Sequence, residues 1–154
     1  MTMRPFYRAI HVTQGMKVDG EFHPQYMKTK SVTADETLTN EDSGKVILMG
    51  PTGIDITLPD PPVEGFNIKI IMALDNVTTA NTVTVNGTGE FFAGSVSTAA
   101  DGAATAIFDG STTDVCTFAT TADQGDYVEI IAGDGVWFIQ GQAFAAASIT
   151  AGTG

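Results

Sequence analysis

Residues 38–61, LTNEDSGKVILMGPTGIDITLPDP, decide the fold class. A polar stretch from Asn40 to Gly44 leads into the apolar run Val46-Ile47-Leu48-Met49. Gly50-Pro51-Thr52-Gly53 turns the chain, after which Ile54, Ile56 and Leu58 alternate with Asp55 and Thr57. Successive side chains of a strand point to opposite sides, so a period of two marks a strand with one face on a core. Pro59, Pro61 and Pro62 stop that strand, because proline has no N–H to give to a sheet ladder. The phrase is strand, turn, strand, and it holds no catalytic motif.

Working outward, short apolar runs and turn residues keep alternating, the spacing of an all-β sandwich or barrel. Strands are predicted near 45–49, 54–58, 66–74, 81–85, 90–93, 103–108, 113–118, 126–132 and 135–140. In FNIKIIMAL, Phe66, Ile68, Ile70, Met72 and Leu74 share one face. Ile71 and Ala73 on the other face predict a central strand buried on both sides. Val83 and Val85 point inward from NTVTV, and Asn86-Gly87 reads as a tight hairpin turn. Gly133-Asp134-Gly135 reads as a second hairpin, with Trp137 beyond it as a core or interface anchor. The glycine spacing argues against any long helix. The expected fold is an all-β, antiparallel β-sandwich or jelly-roll-like barrel with an extended N-terminal arm. Its parts are a docking arm (1–36), the β domain (37–144) and a flexible or subunit-packing tail (145–154), whose last strand is expected around Phe144 to Ile149.

With 154 residues the chain can bury a substantial core as one domain. Valine, isoleucine, threonine and phenylalanine favour pleated, half-buried surfaces, so the composition leans towards strands. No uninterrupted apolar run reaches the roughly 18 residues of a membrane helix, and the N-terminus does not read as a secretion signal, so no membrane partner is expected. Cys116 is the sole cysteine, which rules out an internal disulfide and predicts a small buried hydrophobe. The sequons at Asn76 and Asn86 read as ordinary turn and strand residues.

Charge is sharply partitioned. Residues 1–30 hold five basic side chains (Arg4, Arg8, Lys17, Lys28, Lys30) against Asp19 and Glu21, a net of +3. Residues 31–154 hold Lys45 and Lys69 against sixteen acids, a net of -14. An acidic body repels phosphate backbones, so no nucleic-acid partner is expected. The leader also carries Phe6, Tyr7, Phe22 and Tyr26, too many rings for an ordinary disordered tail. Rings spaced along an extended arm suit a segment that becomes ordered on a partner. Arg4, Phe6, Tyr7, Arg8, Phe22, Tyr26 and Lys28 are therefore the expected contact residues. A short strand around Ala9 to Thr13, joined to the main sheet, is the competing reading of this segment.

The phrases LTNEDSGK (38–45), DITLPDP (55–61) and GDYVEIIAGDGVWFIQG (125–141) resemble small structural proteins of tailed-bacteriophage virions. Within that group the chain is most similar to capsid decoration proteins, also called cement or head-stabilising proteins, over roughly residues 37–141. The resemblance implies a protein made in the host cytoplasm that binds the outer surface of the phage head. It also implies a homotrimer whose partner is the major capsid protein and which stabilises the shell by bridging capsomers. Similar phrases occur in fibre and spike proteins. The alternative is thus a tail-fibre, spike or head-fibre domain that binds a host receptor or glycan through exposed Phe91, Phe92 or Trp137.

Little else points to chemistry, and no enzyme activity or cofactor is expected. His11 and His23 match no metal-ligand spacing, and a GxSxG nucleophile elbow is absent. Gly44-Lys45 lacks the first glycine and the following hydroxyl of a phosphate loop, having Thr39 and Val46 there. Asp101, Asp109, Asp123 and Asp134 lie beside glycine or in predicted turns, where the carboxylate bonds its own backbone. Asp109 with Asp114, or Asp123 with Asp126, form no twelve-residue calcium loop, and no metal is expected.

Overall fold

The computed structural model of the chain describes residues 16–18, 21–23, 27–75, 78–99, 102 and 104–154. β1 (Met16–Val18) and β2 (Glu21–His23) pair only with each other. Then come β3 (Thr29–Val32), β4 (Glu36–Thr37), β5 (Val46–Met49), β6 (Asp55–Thr57), β7 (Asn67–Met72) and β8 (Asn81–Thr84). β9 (Phe92–Thr98), β10 (Ala104–Asp109), β11 (Val115–Phe118), β12 (Tyr127–Gly133), β13 (Val136–Ala143) and β14 (Ile149–Gly152) complete the order. A short 3-10 helix at Asn40–Asp42 is the one helical element among the described residues. All nine strands expected between residues 45 and 140 are present, with β9 running on to Thr98.

These strands build a two-sheet β-sandwich. One sheet has seven strands in the order β10-β9-β13-β12-β7-β5-β3, and the other has five, β14-β11-β8-β6-β4. The inward residues of both close on one core, including Ile47, Met49, Ile56, Leu58, Ile70, Phe92, Phe118 and Trp137. Burying a side chain of this size contributes about 1.5–3 kcal/mol each, which is what drives the two sheets together. Cys116 is among the fully buried residues, and burial alone pushes its thiol pKa upward.

The expected purely antiparallel pairing does not hold. β3, β5 and β7 lie parallel, as do β4, β6 and β8, and β13 runs parallel to β9. From β3 to β9 the chain changes sheet at every step, so it winds around the core. Parallel neighbours need a crossover, and here the crossover is a strand of the opposite sheet. Within the sandwich the antiparallel ladders involve the later strands, β9–β10, β8–β11–β14 and β7–β12–β13.

Four local expectations change. Asn86-Gly87 makes no hairpin, because β8 pairs with β6 and β11 while the chain after it crosses to β9 in the other sheet. β7 is central, yet only its Ile68, Ile70 and Met72 face is fully buried; Lys69 and Ile71 are half-buried and Leu74 is 50% exposed. Residues 29–32 and 36–37, within the span expected to be arm, are edge strands of the two sheets. Likewise the expected tail supplies β14, which begins at Ile149 and pairs with β11. The competing strand at Ala9 to Thr13 lies outside the described residues.

The Asp134-Gly135 hairpin forms as read: β12 and β13 close on the Gly133–Val136 pair, and both turn residues have positive φ, 52° and 72°. That is the backbone of the turn type whose twist matches a hairpin, and Asp-Gly suits it. At Gly94 (φ 147°) a Cβ would run into the Ile139 carbonyl oxygen, so only glycine lets β9 approach β13 there.

Candidate functional site

Two outer faces result, and they differ. The five-stranded sheet presents Thr37, Thr57 and Thr84 in one row and Thr82, Thr117 and Thr150 in the next, with Val115 and Asp55 beside them. It is even and carries no large projecting group. On the seven-stranded sheet the outward positions are mixed and much more relieved.

Register places these outward residues in rows. Ala93, Phe138, Ile131 and Asn67 follow one another across β9, β13, β12 and β7. The adjoining row is Ile107, Ser95, Gln140, Glu129, Lys69 and Val46. Phe138 is 50% exposed, Ile131 47%, Ile107 68% and Met27 66%, so apolar side chains stand proud of this face. An isolated exposed apolar residue is ordinary, whereas a contiguous group marks a contact surface.

The polar row is held in place. Gln140 Nε2 donates to Glu129 Oε2 at 3.0 Å, and Lys69 Nζ donates to Glu129 Oε1 at 3.1 Å. The same ammonium lies 3.7 Å from the centroid of the Tyr127 ring, a cation–π contact. The Lys69 hydrogen bond, then that of Gln140, holds the Glu129 carboxyl below its usual range. A shallow cavity of about 360 Å³ lies between Phe138, Ile131 and Ser95, and a smaller one of about 140 Å³ joins Ile131 to Met27, Lys45 and Lys69. The body therefore meets its N-terminal leader at the rim of this face.

The expected contact residues distribute as follows. Arg4, Phe6, Tyr7, Arg8 and Tyr26 lie outside the described residues; so does the side chain of Phe22, whose backbone belongs to β2. Lys28 is exposed, and its carbonyl accepts the Val46 N–H at 2.9 Å, which starts the β3–β5 pairing. Phe92 and Trp137 are fully buried and cannot display rings to a receptor. Phe138 and Ile131 were missed because Trp137-Phe138-Ile139 and Ile130-Ile131 read as unbroken apolar runs; alternation out from Val128 puts Ile131 and Phe138 on the outer face.

Of the four aspartates read as turn residues, Asp109 bonds its own turn, and Asp101 lies outside the described residues. Asp109 Oδ1 accepts the N–H groups of Ser111 at 2.8 Å and Thr112 at 2.7 Å, and Oδ2 accepts the Thr112 hydroxyl at 2.5 Å. The hydroxyl and these N–H groups hold its carboxyl well below the usual range. Asp126 is buried and bridges the Phe144 N–H (2.7 Å) and the Asp123 N–H (3.1 Å); burial still pushes its carboxyl upward. Among the described residues no three His, Cys, Asp or Glu side chains converge as metal ligands.

No protein-family model matches this chain, and no curated protein matches it.

Proposed function

We propose that the chain is a capsid decoration protein, a virion structural protein that binds the outer surface of a phage head and bridges capsomers. The observation that carries this reading is the joining of a basic, ring-bearing leader to an acidic body at the rim of its projecting apolar face. The motif phrases support it: LTNEDSGK links β4 to β5, DITLPDP holds β6, and GDYVEIIAGDGVWFIQG forms the β12–β13 hairpin. Mechanistically, the leader's cations meet carboxylates on the shell while its rings bury apolar area. Several copies acting together gain by effective concentration, so modest contacts per chain staple neighbouring capsomers. Because such a ligand binds only the assembled shell, it stabilises assembly by mass action.

The test is co-sedimentation with capsids stripped of decoration. The deletion must end at residue 26, because Lys28 and Thr29–Val32 already belong to the sheet. Removing residues 1–26 is expected to weaken binding by about a hundredfold or more while far-UV circular dichroism stays β-rich. In the full chain, Arg4→Glu with Arg8→Glu should weaken binding in the same direction. Wild-type binding should fall as salt rises from about 0.1 M to 1 M, where the screening length shrinks from ~10 Å to ~3 Å. Undiminished binding by both variants overturns the reading.

A further inference from the structure

We propose that Asn86-Gly87 is a site of self-modification, at which the Gly87 backbone nitrogen displaces the Asn86 side-chain amide and water opens the resulting ring to aspartate and isoaspartate. The inference stands apart from the capsid reading, because the reaction needs no partner except water. Asn86 is the one asparagine of five that precedes a glycine. Any other residue at 87 would put a Cβ beside the attacking nitrogen, whereas glycine leaves the approach open.

The fold leaves this pair free to react. β8 ends at Thr84 and β9 begins at Phe92, so residues 86–89 belong to no strand and lie on the crossing between sheets. Asn86 is exposed, and among the described residues neither its side chain nor the Gly87 N–H has a hydrogen-bond partner. The other described asparagines are placed differently. Asn81 is buried, its Oδ1 accepting the Ile54 N–H at 2.8 Å and its Nδ2 donating to the Pro51 carbonyl at 3.1 Å. Asn67 Nδ2 donates to the Gly65 carbonyl at 3.0 Å, and Ile68 follows it. Asn40 opens the 3-10 helix with Glu41 after it. Packing also keeps residue 87 a glycine. A Cβ there would run into the Glu90 carboxylate, which the Trp137 Nε1 holds at 3.0 Å.

The step balances with water alone. The Gly87 nitrogen gives up its proton and bonds to Asn86 Cγ, while the Cγ–Nδ2 bond breaks and ammonia leaves carrying that proton. Water then adds across either ring C–N bond of the succinimide. Cleavage at Cγ yields aspartate, and cleavage at the main-chain carbonyl yields isoaspartate, with one more methylene in the backbone. Both ends of the crossing are anchored, since the Val85 N–H donates to the Asp114 carbonyl at 3.1 Å and Phe92 is fully buried. The added length falls on exposed Asn86, Thr88 and Gly89, so the product stays folded.

The full chain, incubated in mildly alkaline buffer made with heavy-oxygen water, tests this by peptide mapping with fragment-ion assignment. Asn86 is expected to convert about tenfold or more faster than Asn40, Asn67 or Asn81, a ratio that needs only about 1.4 kcal/mol of barrier. The product should carry one heavy oxygen and elute from an anion exchanger as a species one charge more negative than the formal -11. An isoaspartate-specific methyltransferase should label the peptide of residues 81–91. Asn86→Gln, whose extra methylene misplaces the amide carbon for ring closure, should remain intact and unlabelled in that peptide. Conversion of a synthetic peptide of residues 81–91 while the folded chain keeps Asn86 intact overturns the proposal, because the fold then protects the pair. Earlier conversion of Asn40, Asn67 or Asn81 overturns it too, as does label that persists on that peptide in Asn86→Gln.

Discussion

Replacing Trp137 with alanine is expected to cost about 3–5 kcal/mol of folding free energy, a large part of the 5–15 kcal/mol that holds a typical domain. Trp137 is fully buried on β13, paired with Ala132 on one side and Phe92 on the other. Its ring meets Phe66 edge-on, with centroids 5.6 Å apart and planes at 89°. The indole Nε1 donates to Glu90 Oε2 at 3.0 Å, so the side chain reaches from the core to the loop that leads into β9. Alanine removes the apolar contacts, leaves a void that rigid strands cannot close, and takes the donor away from Glu90. Trp137→Phe keeps a ring in the core and loses the donor, for an expected cost of about 1–2 kcal/mol. Guanidinium unfolding followed by far-UV circular dichroism measures both, since Trp137 is the sole tryptophan and fluorescence disappears with it. An unchanged midpoint for the alanine variant would be incompatible with this account of the core.

That same residue shows what the amino-acid order conveys. Alternation is a local property, and it located the strands and the inward set because each strand needs only its own residues to declare a face. Ile54 to Leu58 read correctly on that basis, and so did the Asp134-Gly135 turn, whose φ requirement is also local. Partnership is not local. Nothing in NTVTV states that β8 will pair with β6 and β11, so Asn86-Gly87 resembled a hairpin when it begins a crossing between sheets. Parallel winding was hidden for that reason, and so was the membership of Thr29–Val32, whose TKSV carries one inward apolar group, Val32.

The candidate face was half legible. Its apolar residues stand at outward phase, and the phase is visible once Val128, Ile130 and Ala132 are fixed as the inward set of β12. What the sequence lacked was adjacency: Ile131 and Phe138 become neighbours through the hairpin, and Ala93 joins them only through the parallel β13–β9 pair. The basic leader was visible at once as a break in charge.

Where the winding begins, charge also fixes the fold, and Asp42→Asn is expected to lose about 2 kcal/mol at neutral pH with a flatter acid limb. Lys30 stands in β3, Glu36 in β4 and Asp42 in the 3-10 helix, so their contacts tie the free edges of both sheets together. Lys30 Nζ lies 2.6 Å from Glu36 Oε1 and 3.0 Å from Asp42 Oδ1, and Lys45 Nζ lies 2.8 Å from Asp42 Oδ1. Burial opposes the ionised form of Asp42, but the Lys45 ammonium, the Thr39 N–H and Lys30 outweigh it and hold the carboxyl well below the usual range. The two lysines keep 27% and 25% of their side-chain surface exposed, which screens the pairing and sets the expectation near the middle of the range for charged hydrogen bonds. A carboxyl depressed in the folded state contributes stability that is fully present above its unfolded value, about 3.9, and is lost as pH falls through the lower folded value. Glu129 and Asp109 are depressed as well and add to that acid limb. Asp126 acts oppositely: its raised carboxyl costs stability while ionised and relieves that cost on acidification. Lys30, raised in the folded state despite its partial burial, contributes stability below the ordinary lysine value that is lost at strongly alkaline pH. Urea unfolding of wild type and Asp42→Asn at about pH 3, 5 and 7 separates these contributions. The variant should sit below the wild type at pH 5 and 7 and converge on it towards pH 3. Parallel curves, offset equally at all three, would mean that the Asp42 charge does no pinning at the edge.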